Sequence, residues 1–526
     1  MNIPRRKLLH LLAALPCGLR AASADSERRY ILQHFVRDLP SVFAPISHAG
    51  PNWVTTSFLF DTLVWKNRDG VVPLLASAWE VSPDKRRWTF RLGNGARWHD
   101  GKPVTSRDVA FTFHYMAEHP VAIWSSEAVR TLEAVETPDE RTVHVRTKAP
   151  SPDFLDAVAG TAQILPQHVW RGIQDPVKYL DPPAFLGSGL FRHLRTSRGE
   201  YTLLGANHDY FLGSPLVEQL VLKSVNNAAL ALRGGDVDAA SLDSPLAAKQ
   251  FSSEARFTVV RGPFSYYVTK LVFNVKRSPF DNRMVRQAIA WALNKQEMVR
   301  LALEGDGIAA SAGLLHMDSP WFAPDLPRYG PDPARAQDLL SKAGYSRRGA
   351  DGIRVSDSGK RLSFTLLQTS SSIELGRLAE LIRDQLAVVG IQLMIQAVSV
   401  GPMEHLMETG EFDLALDGHG GTNNVQIAAS HTDYPAQLYH NPALDAAYQR
   451  FTTSADDAVR RESAAVVQRI IAEDVPMIPL VNARELLVYR RDKGIEWFWT
   501  KGGLGGGVPQ WWNKLALLPR PGQRKK

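Results

Sequence analysis

Trp88, Phe90 and Leu92 alternate with Thr89 and Arg91, the two-residue period of a strand with one buried face. Asp100-Gly101 follows as a turn. Thr105 and Asp108 then stand at capping-box spacing, with Val109, Phe113 and Met116 at helical spacing behind them. Farther along, Asp332-Pro333 reads as an N-cap and first-turn proline. Ala336, Leu339, Leu340 and Ala343 share one face of the helix, and Gly344 supplies the positive φ that ends it. Leu375, Leu378, Ala379, Ile382 and Leu386 predict a second amphipathic helix ending at Gly390, and Ile391, Leu393 and Ile395 alternate as a strand directly after it. A third helix is predicted from about Arg283 to Leu303, entered from Asp281-Asn282, with Met284, Ala288, Ile289, Ala292 and Leu293 inward; the extended run 270–275 precedes it. Strands and helices mixed from end to end, without an internal repeat, predict an α/β protein.

Length turns that pattern into more than one body. A chain of 526 residues exceeds what a single core usually serves, so two or three lobes are expected, and 44% hydrophobic with 22% charged residues is an ordinary globular makeup. At the N-terminus, Arg5-Arg6-Lys7 precedes the apolar run Leu8 to Leu15, and Ala22-Ser23-Ala24 offers small residues for cleavage, so residues 1–24 are expected to be an export signal. The apolar run is far short of the roughly 20 residues that span a bilayer. Arg5-Arg6 partly fits the twin-arginine route. Leu8 and Pro4 depart from that pattern, and both the Tat and the Sec routes stay open. Cleavage would remove four basic residues and no acid, lowering the formal charge from +7 to +3. The basic balance therefore gives no reason to expect nucleic acid, and the tail 519–526 is expected to be solvated. Cys17, the only cysteine, lies inside the signal, so the mature chain is expected to hold no thiol or disulfide. A lipid anchor there is the competing expectation, opposed by Pro16.

Taken in order, Asp61-Thr-Leu-Val, Leu74-Leu-Ala-Ser-Ala-Trp-Glu-Val-Ser, Trp88-Thr-Phe-Arg-Leu and Ala96-Arg-Trp-His-Asp-Gly-Lys-Pro-Val-Thr-Ser-Arg-Asp-Val resemble the family 5 extracellular solute-binding proteins, the receptors of peptide and nickel ABC importers. Leu186-Gly-Ser-Gly-Leu-Phe-Arg, Asn207-His-Asp-Tyr-Phe, the Gly-Gly-Asp-Val-Asp turn after Arg233, Phe273-Asn274 and the segment from Pro279 also keep the family's order. The resemblance implies a periplasmic binding protein of type II, cluster C: two lobes joined by a hinge plus an extra family-specific domain. It places lobe I at 25–55, 185–268 and 480–518, the extra domain at 56–184 and lobe II at 269–479. It further implies a periplasmic, monomeric receptor with no cofactor, which closes over a peptide or other small solute and serves ABC permease subunits in the inner membrane.

The same resemblance points to ligand-facing segments. Residues 412–424 correspond to a strand and loop at the cleft, which makes Asp417, His419, Thr422, Asn423 and Asn424 candidates. Peptide-binding relatives carry an acid near Thr422 for the peptide's amino terminus. Here that acid is replaced, and Asn423 and Asn424 can donate and accept but not neutralise an ammonium. Ser370, Ser371 and Ser372 stand where some dipeptide binders place an arginine, ahead of a helix N-terminus suited to an anion, to neutral oxygens or to plain capping. With both charge anchors replaced, free dipeptides are disfavoured and a longer peptide, a sugar-like ligand or a metal chelate fits better. His48, Asn52 and Trp53 are the candidates in the early cleft loop, and Tyr266 and Tyr267 near the crossover. His48, His419 and His431 raise a metal reading without a close sequence pair among them.

No His-Glu-x-x-His, phosphate loop or Gly-x-Ser-x-Gly elbow occurs, so an enzyme is not expected, and the glycines from 502 to 507 read as a flexible closing loop. A periplasmic sensor or chaperone on the same fold stays open, because fold does not fix function.

Overall fold

The computed structural model describes residues 28–34, 50–119, 129–370, 372–420, 438–505, 507–508 and 510–520. The chain opens on β1 (Arg29–Gln33) and helix α1 (Gly50–Thr56). A small hairpin follows, β2 (Val64–Lys66) with β3 (Val71–Pro73), then β4 (Ala76–Val81), β5 (Arg87–Leu92), α2 (Ser106–Glu118), β6 (Leu132–Glu136) and β7 (Thr142–Thr147). Next come β8 (Phe191–Ser197), β9 (Tyr201–Ala206), β10 (Gln219–Lys223), β11 (Ala239–Ser241), α3 (Pro245–Phe251), β12 (Phe257–Phe264) and β13 (Val268–Phe273). The second half holds α4 (Arg283–Ala292), α5 (Lys295–Leu301), β14 (Gly307–Ala309), α6 (Pro333–Lys342) and the short pair β15 (Arg347–Arg348) and β16 (Arg354–Val355). It continues through β17 (Ser363–Thr369), α7 (Ile373–Val388), β18 (Gln392–Val398), α8 (Val400–Glu408), β19 (Leu414–His419), α9 (Pro442–Thr453) and α10 (Asp457–Asp474) to β20 (Met477–Arg490).

One mixed sheet runs in the order β18-β17-β19-β13-β20-β11-β1-β10-β9-β8, with β12 and β14 also on β20. β20 joins its two halves. From Met477 to Ala483 it pairs with β13 and β14, and from Arg484 to Arg490 with β12 and β11. The β11-to-β8 half is the first lobe and the β13-to-β18 half the second. In the second lobe β17 runs parallel to both β18 and β19, and such a sheet must be covered on both faces. Leu366, Leu414 and Leu271 pack with Leu378 and Ile382 of α7 on one side, while Leu367, Ala415 and Val272 pack with Met403 and Met407 of α8 on the other.

The antiparallel sheet β4-β5-β7-β6 belongs to the first lobe's core. Trp88, Phe90, Val109, Phe113 and Phe154 form one continuous cluster with Tyr30, Leu32, Leu220 and Leu487. The strand predicted from Trp88, Phe90 and Leu92 is β5, with those three residues buried, and the Asp108 carboxylate accepts from the Thr105 N–H (2.9 Å) and Oγ (3.0 Å) at the head of α2. Trp98 is buried, while Trp79 and Trp291 pack at core edges. His99 is a satisfied turn residue: Nδ1 accepts from Gly187 N, Nε2 lies 3.1 Å from Gly189 O, and burial pulls it down to about 4.

Two expectations need correction. The helix predicted from 283 to 303 is two helices. Leu293 is extended (φ −89, ψ 131), and Asn294 ends one helix and caps the next, its Oδ1 accepting from Glu297 N and its N–H bonding Gln385 Oε1. The glycine-rich segment near the C-terminus is packed rather than loose. A Cβ on Gly505 would lie 2.3 Å from the Trp53 ring.

Candidate functional site

The sheet halves meet where β12 leads into β13 and β20 passes back, which places Tyr266, Tyr267 and the ends of β17 and β19 at one cleft. Sequence explains why these strand ends are polar. Along β19, Leu414, Ala415 and Leu416 are core, whereas Asp417, Gly418 and His419 run past the helices that cover the sheet. Asp417 pairs with the fully buried Lys270 at 3.0 Å across the β13–β19 ladder. His419 lies opposite Val268 and is pulled down to about 4, by burial first and the Lys270 ammonium second, so it presents a neutral imidazole. Gly418 is bare for a reason: the Tyr267 ring lies over it, 2.0 Å from where a Cβ would stand. Tyr266 meets the buried His316 ring edge-on at 5.0 Å. Ser370 is exposed, its N–H held by Val398 O, and Ser372 caps α7 by accepting from Leu375 N at 3.2 Å.

Trp53 is placed in the core of lobe I. It is 7% exposed, stacked on Trp65 at 5.7 Å, and its indole N–H is committed to Thr161 O at 2.9 Å, which leaves no free donor for a ligand. Asn52 falls in α1, where only its backbone is described. His48, Ser371, Thr422, Asn423, Asn424 and His431 lie outside the described residues. Of the three histidines raised for a metal, His419 alone is therefore placed. Among the described residues no three His, Cys, Asp or Glu side chains are arranged to hold an ion.

Sequence reading missed three acids at this cleft. Glu374 in the first turn of α7 is pushed up to about 7, by burial first and by Asp243 and Glu485 charges besides. Glu485 on β20 is pushed up to about 7 by burial, and Asp243 is raised for the same reason. Yet Asp243 is exposed and the two glutamates are half-buried. The one legible signal was Glu485, a charge inside the apolar run of β20. Glu374 looks like any acid in a first helical turn.

These shifts fix a pH dependence. Ordinary glutamates ionise near 4.5, so between about pH 4.5 and 7 the native protein holds protons that the unfolded chain has released. That stabilisation is complete below the window and is lost as pH rises through about 7. Calorimetric melting temperatures of the ligand-free protein should fall from pH 5.5 to 8 more steeply than those of Glu374→Gln/Glu485→Gln. Parallel profiles would contradict the assignment.

Hydrogen bonds and ion pairs bridge the lobes. Glu304 of the second lobe accepts from Ser244 Oγ and Leu246 N at the head of α3 (both 2.9 Å) and pairs with Arg377 at 3.2 Å. Asp306 takes Arg261 at 2.9 Å and Arg484 at 2.6 Å, bracing the crossing strands β12 and β20. At the far side Arg460 of α10, 4% exposed and 4.3 Å over Trp321, reaches Asp153, which adjoins Phe154 of the first lobe's core, at 2.5 Å. Asp153 is partly exposed, so this latch is worth about 1 kcal/mol. Asp153→Ala leaves the buried Arg460 guanidinium without this carboxylate and should therefore lower stability by about 1 kcal/mol, read by calorimetric melting; an unchanged melting temperature would contradict the contact.

β20 thus joins two lobes, with Asp243, Glu374 and Glu485 near their junction. The chain belongs to the bacterial extracellular solute-binding proteins, family 5: the model for the family's middle part matches residues 70–435. A relative in Brucella ovis, carried provisionally as an ABC transporter peptide-binding protein, is 31% identical over 314 residues, 58% of this chain and 58% of its own length. Among solved structures, NikZ from Campylobacter jejuni, in complex with Ni(L-His), superposes with a TM-score of 0.79 at 22% identity, covering 89% of this chain and 94% of its own. AppA from Bacillus subtilis, in complex with a nonapeptide, gives 0.77 at 22% identity, covering 88% and 94%. The fold is thus that of the family 5 periplasmic binding proteins. Among the described residues no helix is long and apolar enough to cross a membrane.

Proposed function

We infer that this protein is the substrate-binding component of an ABC importer: exported to the periplasm, it captures a peptide or peptide-like solute by closure of its lobes and delivers it to inner-membrane permease subunits, without transforming it. The observation that carries this reading is β20, one continuous strand serving both lobes beside a cleft bridged by ion pairs. Such a crossing lets two rigid halves rotate about a few backbone torsions while the ligand loses most of its water. Family membership supports the same role, as does the peptide-binding name of the Brucella relative. On this reading lobe I comprises 25–55, 185–268 and 480–518, the added domain 56–184 and lobe II 269–479. His419, Asp417, Tyr266, Ser370, Ser371, Thr422, Asn423 and Asn424 are the proposed ligand-side residues.

The test has two stages. Native mass spectrometry of protein from its own host should reveal a retained solute. Small-angle scattering of the stripped protein should then show the radius of gyration fall when that solute is restored. Profiles that stay superimposable at saturation would reject hinge capture, and chemical conversion of the solute would reject a pure receptor.

A further inference from the structure

β11 pairs with β20 up to Ser241 opposite Leu487, and Leu242 N donates to Leu486 O at 3.0 Å, so Asp243 leaves the sheet across from Glu485. Glu374 enters from the other lobe, close enough for both of those charges to raise it. Glu374 and Glu485 have only neutral side-chain donors, Thr269 and Ser265 among them, and no cation pairs with any of the three acids among the described residues. The neighbouring arginines are engaged, Arg377 by Glu304 and Arg261 and Arg484 by Asp306. Nor are the three carboxyls drawn tightly enough together to chelate one metal ion.

An independent observation lies beside them. Phe364 and Leu366 of β17 face α7, so Gln368, two residues on, turns toward that same helix, whose first turn carries Glu374. Gln368 is 7% exposed and its Oε1 has no hydrogen-bond donor. A buried acceptor left unmet costs about 1–3 kcal/mol. Carboxylates and an orphan amide oxygen are all acceptors, and together they ask for a partner rich in N–H donors and positively charged.

We propose, resting on the receptor reading above, that the cleft selects solutes bearing a guanidinium or ammonium group, seated among Asp243, Glu374 and Glu485 with Gln368 accepting one of its hydrogen bonds. This is a cation subsite for the cargo. It compensates for the missing acid near Thr422 with charge from both lobes, so that a cationic cargo favours the closed form.

Titration calorimetry with two isosteric peptides tests it: Ala-Arg-Ala against Ala-citrulline-Ala, which differ by one charge, with agmatine as a peptide-free guanidinium. The arginine peptide should bind at least tenfold more tightly than its citrulline twin. In Glu374→Gln and in Glu485→Gln the ratio should fall below threefold, while melting shows both variants folded. Gln368→Leu, with no new charge, should lower affinity for the arginine peptide alone. Binding of agmatine without either peptide would support the subsite and count against a peptide cargo. Equal binding of the two peptides, failure of every probe at millimolar concentration, or a ratio unchanged in the glutamate variants would overturn the proposal. The receptor reading fails separately, by absence of closure with the solute retained from the host.

Discussion

Lys514→Met is expected to cost roughly 3–5 kcal/mol, because it strands the Asp61 carboxylate in the core of the first lobe. Asp61 is 0% exposed and takes three donors, Lys514 Nζ at 2.6 Å, Ser188 Oγ at 2.9 Å and Tyr210 OH at 2.9 Å. Burial holds the Lys514 ammonium below the usual lysine range, and it also sits 4.4 Å over the Trp65 ring. Urea unfolding followed by tryptophan fluorescence should show the first-lobe transition move to lower denaturant while the second-lobe transition stays. Asp61→Asn/Lys514→Met, which removes both charges, should recover part of the loss. A single-variant cost below 1 kcal/mol would mean that the pair is not desolvated as described.

Gly187→Ala is expected to be at least as damaging. A Cβ there would stand 1.8 Å from the Leu59 carbonyl oxygen, and one on Gly189 would stand 2.5 Å from the Leu59 carbonyl carbon. The obstacle is backbone, which cannot swing aside as a side chain can. Gly189 N donates to Leu59 O at 2.7 Å and Phe191 N to Phe58 O at 3.0 Å, so separating the two segments also breaks these bonds. Losses above about 4 kcal/mol or failure to accumulate folded protein are expected, read by soluble yield and melting. Serine at 187 should fare no better, whereas Leu194→Ala, on an exposed side chain, should be silent.

These two sites show what a sequence gives up and what it withholds. The segment holding Gly187 and Gly189 and the one opening at Asp61 were legible as family markers, but the reason for each lies in a contact with residues more than a hundred positions away. Local signals translated well. The alternation in β5, the Thr105–Asp108 box, the Asp332–Pro333 start and Gly390 (φ +84) all depend on neighbours within a few residues. The split at Leu293 was hidden because an apolar residue at helical spacing satisfied the pattern while Asn294 quietly took a cap. His419, Asp417 and Tyr266 are candidates by resemblance, and they stand near the junction of the two sheet halves. Asp243, Glu374, Glu485 and Gln368 are not candidates by that route, since each is an ordinary residue until the lobes bring them together. Trp53 misled for a physical reason: an indole near a cleft loop reads the same whether its N–H meets cargo or, as here, the Thr161 carbonyl.

The route of the chain through its first lobe sets a timetable for biosynthesis. Trp65 Nε1 bonds Asn513 Oδ1 across a separation of 448 residues, and Trp511, Trp512 and Leu517 share a core with Tyr30. That core must wait for the last segment to leave the ribosome, whereas the second lobe is nearly complete well before then. Newly made chains therefore pass through a stage with one finished half and one half still exposing aromatic surface. A translocase that accepts unfolded chains has its opening during that interval, and one that demands finished structure must let the interval pass.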